Sequence, residues 1–384
     1  MANMPKVFIR DILQMKFAAK LILFILLCCP VFEAGAVNIA VVAPKEGPMA
    51  KSGRELIEGA QIAVDIINEE GGIAGEKINL IAVDDRCEDS FAISAAQMMA
   101  LNSSPQDKIN LVVGPYCNNS FAAISDIYSK AKIVRIVPLP LNASQYDASV
   151  AGLFKLSGLM SEEGKVFFDF YNRNFADKNV AVVYDSRMPE TAETAFEVQQ
   201  QFRTYNSANR ITLFDFAGYG KDYTQMAKEI LLNSQAAYVL GNAKQTAALV
   251  QKLQEQKENT VIFVDEYLAT GYLFRELGNF AEGIYVLAME SQKDSPDFTE
   301  ELVELRLKGK EPKGLGVYGY AAVSLWKQMA EAAGKFDFDR IVKHASGQSF
   351  MLPWGKVAFE NGRPSLSGGH TVYQIKNGEY AQVY

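Results

Sequence analysis

Short apolar runs rich in β-branched residues recur along this chain, separated by stretches whose apolar positions fall three and four apart. Residues 38–43, 78–83, 109–113 and 133–137 are runs of the first kind, too short for helices and suited to strands buried on both faces. Between them Leu56, Ala60, Val64 and Ile67 mark one face of a helix that Gly71-Gly72 ends, residues 91–101 a second helix, and Phe121, Ile124, Ile127 and Tyr128 a third. Ser52-Gly-Arg-Glu55 has the spacing of a capping box and predicts that the first helix starts there. Strands alternating with helices predict a parallel, doubly wound sheet, with ligand loops at the carboxyl ends of its strands. That places residues 47–52, 116–120 and 139–144 on one rim.

The pattern restarts after Lys155-Leu-Ser-Gly158. Helical stretches at 162–175, 190–205, 223–232 and 244–256 alternate with apolar runs at 180–184, 211–216, 237–240 and 261–264, which predicts a second βα lobe. Residues 284–289 read as a strand returning from it. Residues 298–307, 317–333 and 338–345 are helical in pattern, and the C-terminus turns to β at 354–359 and in a hairpin across Asn377-Gly378. The expected organisation is a leader (1–36), a first lobe of 37–157 with 290–350, and a second of 158–289 with 351–384.

Composition fits a globular chain: of 384 residues, 49% are hydrophobic and 22% charged. The leader is read from Met-Lys-Phe-Ala-Ala-Lys at Met15, an apolar run from Leu21 to Cys29, Pro30 and Ala34-Gly-Ala36: the basic, hydrophobic and small-residue parts of a secretory signal, with cleavage after Ala36 and initiation at Met1 or Met15. The run is too short to span a bilayer. Without Lys6, Arg10, Lys16, Lys20, Asp11 and Glu33 the chain carries a net charge of about −9 and no basic block, which argues against nucleic acid as a partner. Cys87 and Cys117 then remain, an even pair in an exported chain. They read as one disulfide or as two buried thiols, the former closing a loop of ~30 residues worth about 3–4 kcal/mol on the chain-entropy estimate.

The strand at 109–113 stops at Gly114-Pro115, and Asn118, Asn119 and Ser120, good N-cap residues, precede the next helix. Strand, polar turn and helix N-terminus form a geometry that holds an anion or a polar ligand. Gly314-Leu-Gly-Val-Tyr-Gly319 matches a dinucleotide fingerprint by letters but follows a charged loop instead of a strand. His344 and His370 are far apart and lack ligand-spaced partners, and Asp84, Asp85, Glu88 and Asp89 lack the spacing of a calcium loop, reading as a solvated strand exit. With no phosphate loop, nucleophile elbow or metal cluster, the chain reads as a binding protein without metal or cofactor, not an enzyme.

The order of elements and their residues resembles the periplasmic leucine/isoleucine/valine-binding proteins. The likeness is carried by Ile39-Ala-Val-Val with Gly47-Pro48 and Gly53, by Gly59-Ala60, Ile67-Asn68 and Gly71-Gly-Ile-Ala-Gly75, by Asp84-Asp85 with Cys87, and by Gly114-Pro-Tyr-Cys117. It continues through Ser125-Asp126, Pro138, Gly158, Asp185, Gly241, Glu266 and Glu282-Gly283. The resemblance implies an α/β fold of two Rossmann-like, doubly wound lobes, joined by three crossover strands and closing over ligand like a jaw. It also implies a monomeric solute receptor in the periplasm, serving an ABC permease of the inner membrane, and it supports the Cys87–Cys117 disulfide. A sensor of the same fold reporting to a separate signalling protein, or a receptor for a solute other than an amino acid, is the alternative.

By the same resemblance Asn118 stands where the family has the serine that binds the ligand carboxylate, and Glu266 where it has the glutamate that binds the ammonium group. Leu139-Pro140-Leu141 replaces the family's alanines and threonine. Ser52 stands at a family tyrosine, as do Pro189 and Ala243. The expected ligand-binding set is Ser52, Tyr116, Asn118, Asn119, Leu139, Leu141, Arg187 and Glu266: amides and Asn118 for a carboxylate, Glu266 for an amine, Arg187 for a second anionic group, and Tyr116, Leu139 and Leu141 as apolar wall. The expected ligand is an amino acid or related zwitterion.

Overall fold

In β1 (Ala36–Val42) Ile39 and Val41 enter one core and Ala40 and Val42 another, so the strand is covered on both sides, as its unbroken apolar run predicts. The computed structural model describes residues 36–384 except 48, 102–103, 105–106, 118–120, 142–146, 148, 160, 221, 258, 269–271, 290–295 and 365–368. The leader expected at 1–36 lies outside the described residues apart from Ala36. After β1 come α1 (Ala50–Glu69), β2 (Lys77–Val83), α2 (Asp89–Leu101), β3 (Ile109–Val113), α3 (Phe121–Lys130), β4 (Val134–Val137) and β5 (Leu153–Lys155). They form a five-stranded parallel sheet in the order β2-β1-β3-β4-β5.

The second lobe runs α4 (Ser161–Asn174), β6 (Val180–Tyr184), α5 (Pro189–Thr204), β7 (Ile211–Asp215), α6 (Thr224–Asn233), β8 (Ala236–Val239), α7 (Ala243–Gln256), β9 (Val261–Leu268), α8 (Tyr272–Leu277) and β10 (Tyr285–Met289). The chain then returns to the first core with α9 (Pro296–Leu307), α10 (Gly316–Ala333) and α11 (Phe338–Ala345), whose Phe298, Trp326 and Ile341 are buried there. A small antiparallel sheet of β11 (Ser349–Leu352), β12 (Gly355–Glu360) and β13 (Arg363–Pro364) follows. Finally β14 (His370–Lys376) and β15 (Glu379–Gln382) add antiparallel strands to the second sheet, in the order β15-β14-β10-β9-β8-β6-β7. Asn377 and Gly378 both have positive φ, the signature of the tight hairpin their sequence predicts.

Two expectations need revision. The first helix starts at Ala50, not at a Ser52 cap: Met49 precedes it, and Glu55, instead of reaching back to Ser52, accepts from the amide of Leu315 at 3.3 Å. The second lobe does not begin its C-terminal share at residue 351, because Leu352, Trp354, Val357 and Phe359 are buried in the first-lobe core. β11 to β13 therefore go with the first lobe, whereas β14 and β15 pair into the second sheet.

The glycine-rich letters at 314–319 serve packing. A Cβ on Gly59 of α1 would stand 1.9 Å from the carbonyl oxygen of Gly316, and one on Gly319 would stand 2.1 Å from that of Leu56. The two helices therefore touch backbone to backbone, which only hydrogen in place of a side chain permits. Gly59→Ala is expected to destabilise the fold by about 3 kcal/mol, the upper range for overpacking a rigid contact. Chemical denaturation would check this, and an unchanged midpoint would show that the helices can part freely.

Candidate functional site

The turn that ends β3 is bound to the neighbouring strand end, since the amide of Tyr116 donates to the carbonyl of Val42 at 3.0 Å. Cys117, next along, is joined to Cys87 at the end of β2 by the disulfide, across 30 residues of sequence. Asp85 is fully buried, not solvated as its acidic surroundings suggest, and its Oδ1 accepts from the Cys87 amide at 3.2 Å. Burial pushes its carboxyl above the usual range, opposed by the backbone hydrogen bonds. Sulfur and carboxyl together fix the loop after β2, whose Arg86 and Cys87 have positive φ.

Tyr116 and Ser52 are brought together: the phenol shares a hydrogen bond with the Ser52 hydroxyl and lies 3.8 Å from the Met49 sulfur. Burial raises the phenol further above its usual range than the Ser52 bond lowers it. Asn118 and Asn119 lie outside the described residues. Leu139 is buried in the first-lobe core, and Leu141 is fully enclosed, in a cluster with Phe121, Val137, Leu153 and Leu159. Arg187 forks onto Asp185, with Nε to Oδ1 and Nη2 to Oδ2 both at 2.7 Å, and Gln245 donates to the same carboxylate at 2.8 Å. The Arg187 bond holds Asp185 down at about 2. Its fork therefore organises the exit of β6.

Glu266 stands near the carboxyl end of β9, half-buried. Its Oε2 accepts from the Tyr380 hydroxyl at 2.6 Å, and its Oε1 from the Leu273 amide at 3.4 Å, so β15 and the start of α8 orient it. Sequence reading missed what lies beside it. Burial, then the charges of Glu266 and Glu190, push Asp265 up to about 7. Glu163, 2% exposed, is held well above its usual range by burial and then by Asp265, against a bond from the Tyr238 hydroxyl. His370, at the start of β14, lies 3.6 Å from Glu163 and is pushed down to about 4 by burial. A helix-period scan cannot bring residues from α4, β8, β9 and β14 together. The His370 side chain is thus buried, whereas His344 is half-buried.

Two parallel α/β lobes joined by three crossings, with polar side chains gathered at the strand ends of both, define a two-lobed solute-binding fold. The chain belongs to the periplasmic binding protein family, whose profile matches residues 36–379. It is 25% identical over 352 residues to an amino acid binding protein of Pseudomonas aeruginosa, covering 90% of this chain and 92% of that one. It is also 25% identical over 346 residues to a Leu/Ile/Val-binding protein homolog of Brucella melitensis, covering 89% and 91%. The crystal structure of a leucine binding protein from Thermotoga maritima shares the fold, with a TM-score of 0.77 at 22% identity over 91% of this chain and 98% of the other.

The buried histidine gives a pH prediction. His370 resists protonation when folded, so its contribution is full above its ordinary value of about 6.5 and is lost as pH falls towards 4. Asp265 acts with the opposite sign, its contribution being full in acid and lost as pH rises through about 7. Replacing the histidine alone, His370→Gln, is expected to leave a protein that loses about 3 kcal/mol less than wild type between pH 7 and 4. Denaturant melts at both pH values measure it, and parallel losses would mean that His370 titrates normally.

Proposed function

We propose that the chain is the periplasmic receptor of an ABC importer for an amino acid or related zwitterion, binding one molecule between its lobes as a monomer and delivering it to an inner-membrane permease. Family membership supports the receptor role, and the names of the relatives support the solute class. The observation that carries the amine half is Glu266, held by Tyr380 and the Leu273 amide at the end of β9. On this reading the lobes move about the chain segments after β5, β10 and β13, and the leader is removed near Ala36. Ser52 and Tyr116 line the first-lobe side, where Asn118 and Asn119 take the carboxylate. Arg187 is left to Asp185, and Leu139 and Leu141 support the site from within the core.

In a closed, dry site an unpaired charge is costly, so Glu266→Ala should weaken binding of the co-purifying solute at least about 30-fold, and Asn118→Ala less, because backbone amides remain. Calorimetry decides. Unchanged affinity in Glu266→Ala would mean that no ammonium group is bound there and would turn the reading towards a neutral or acidic solute. Saturating solute should also compact the protein in small-angle scattering, and intact-mass measurement of the exported protein should find a chain starting near Val37.

A further inference from the structure

Asp85, in the loop after β2, carries a carboxyl that the loop uses only by half. The residue is fully buried; its Oδ1 accepts from the Cys87 amide at 3.2 Å, and its Oδ2, also sealed from solvent, has no hydrogen-bond partner. A carboxyl oxygen buried in that way costs free energy, and its place calls for a second role. The disulfide supplies the setting. A carboxyl oxygen of Asp85 and the sulfurs of Cys87 and Cys117 all lie within 4.8 Å of one another, three donors drawn from the loops after β2 and β3.

While the disulfide is closed, neither sulfur can act as a thiolate. Opened, it leaves two thiols on a backbone that already holds them close, with the Cα atoms of Cys87 and Cys117 5.3 Å apart. The Tyr116 amide ties one loop to Val42 at 3.0 Å, and Asp84 Oδ1 fixes the other by accepting from the amides of Lys45 at 3.1 Å and Arg86 at 3.0 Å. Two thiolates and a carboxylate suit zinc, whereas calcium and magnesium take oxygen donors. Both cysteines are half-buried, so water can reach the fourth position. Of the neighbouring charges, Asp84 acts on Asp85 and favours a cation, while Arg86 is exposed with its guanidinium over the Phe91 ring at 4.3 Å.

We propose that Asp85, Cys87 and Cys117 form a zinc site when the disulfide is open, so that disulfide and metal are alternative clasps between the loops after β2 and β3. In the test the opening step uses a phosphine: it gives two electrons to the sulfurs, takes the oxygen of one water to become its oxide, and leaves that water's two protons on the thiols. Zn2+ then binds as the two thiol protons pass to solvent. The inference is independent of the solute proposed above.

The whole protein, reduced with a phosphine and desalted without oxygen, is titrated with Zn2+ against a chromophoric chelator and with Co2+ as a coloured stand-in. Reduced wild type should retain about one Zn2+ per chain, and its Co2+ form should show thiolate-to-metal charge transfer in the near ultraviolet, which a surface carboxylate cannot give. The oxidised protein should retain none. Asp85→Asn keeps an acceptor for the Cys87 amide but should weaken zinc at least about tenfold, since even groups that only orient a metal's ligands are worth about 10–100-fold. No zinc on the reduced chain, equal zinc on the oxidised one, or undiminished affinity in Asp85→Asn would overturn the proposal. If the oxidised Asn variant melts far below wild type, Cys117→Ser takes its place, and stoichiometric zinc there would overturn the proposal as surely. Should reduction unfold wild type, zinc is expected to restore its far-ultraviolet dichroism, because binding is then coupled to folding, and no recovery counts against the site.

Discussion

The contact between α1 and α10 is the constraint on which the rest of the molecule depends. It joins residues some 260 apart in sequence, backbone against backbone, through Gly59, Gly316 and Gly319. Because α10 follows β6 to β10 in the chain and precedes β14 and β15, this contact brings the polypeptide back to the first core between two visits to the second sheet. α9, α11 and β11 to β13 come with it, burying Phe298, Ile341, Phe350 and Trp354 in the same cluster as Leu56 and Val64. A side chain at Gly59 would act on one helix pair, yet it would loosen the seam that closes the first lobe.

Each lobe then treats its buried polar groups differently. The second concentrates acids: Glu163, Asp265 and Glu266 gather where β9 and the start of α4 meet, with Tyr238, Tyr380 and His370 as their polar company. Charged together, they would repel one another in a medium that screens poorly, so burial and mutual charge keep the inner two protonated more readily than Glu266 alone would require. The first lobe buries Arg135 without a partner, and Lys155 beside the first crossing, where burial lowers its ammonium to about 8 and the Gly158 carbonyl accepts from it at 3.2 Å. Each lobe thus buries ionisable groups, cations in the first and acids shifted towards their neutral form in the second.

Much of the fold was legible because its signals are local. A strand buried on both faces is continuously apolar, a surface helix has one apolar stripe, and Asn377-Gly378 can form its hairpin from two residues, so these elements stand where the sequence predicts them. What failed was whatever depends on a partner distant in sequence. The Ser52 capping box was a match of letters, but Glu55 had a better use against Leu315. The strand at β12 could not announce which core would receive Trp354. Of the candidate residues, the disulfide was legible from an even pair of cysteines and the family resemblance, whereas the packing of Leu141 in the Phe121 cluster and the fork of Arg187 onto Asp185 depend on neighbours that no local pattern announces. Arg135 left a signal that went unread: a lone charge inside 133–137 is either an error in the strand assignment or a buried ion.

The placement of charge bears on what such a molecule can hold. On the proposed function, a zwitterion with its amine towards Glu266 gains from that carboxylate and loses the gain when turned end for end. Contacts alone would have to distinguish those orientations by shape, which a small apolar side chain does weakly, at about 0.8 kcal/mol for each methylene buried. Fixed charges distinguish them by sign, before the lobes close and independently of the side chain. On the proposed function, Glu266 sets which end of a solute faces the second lobe, and the groups that line the site are left to choose its size.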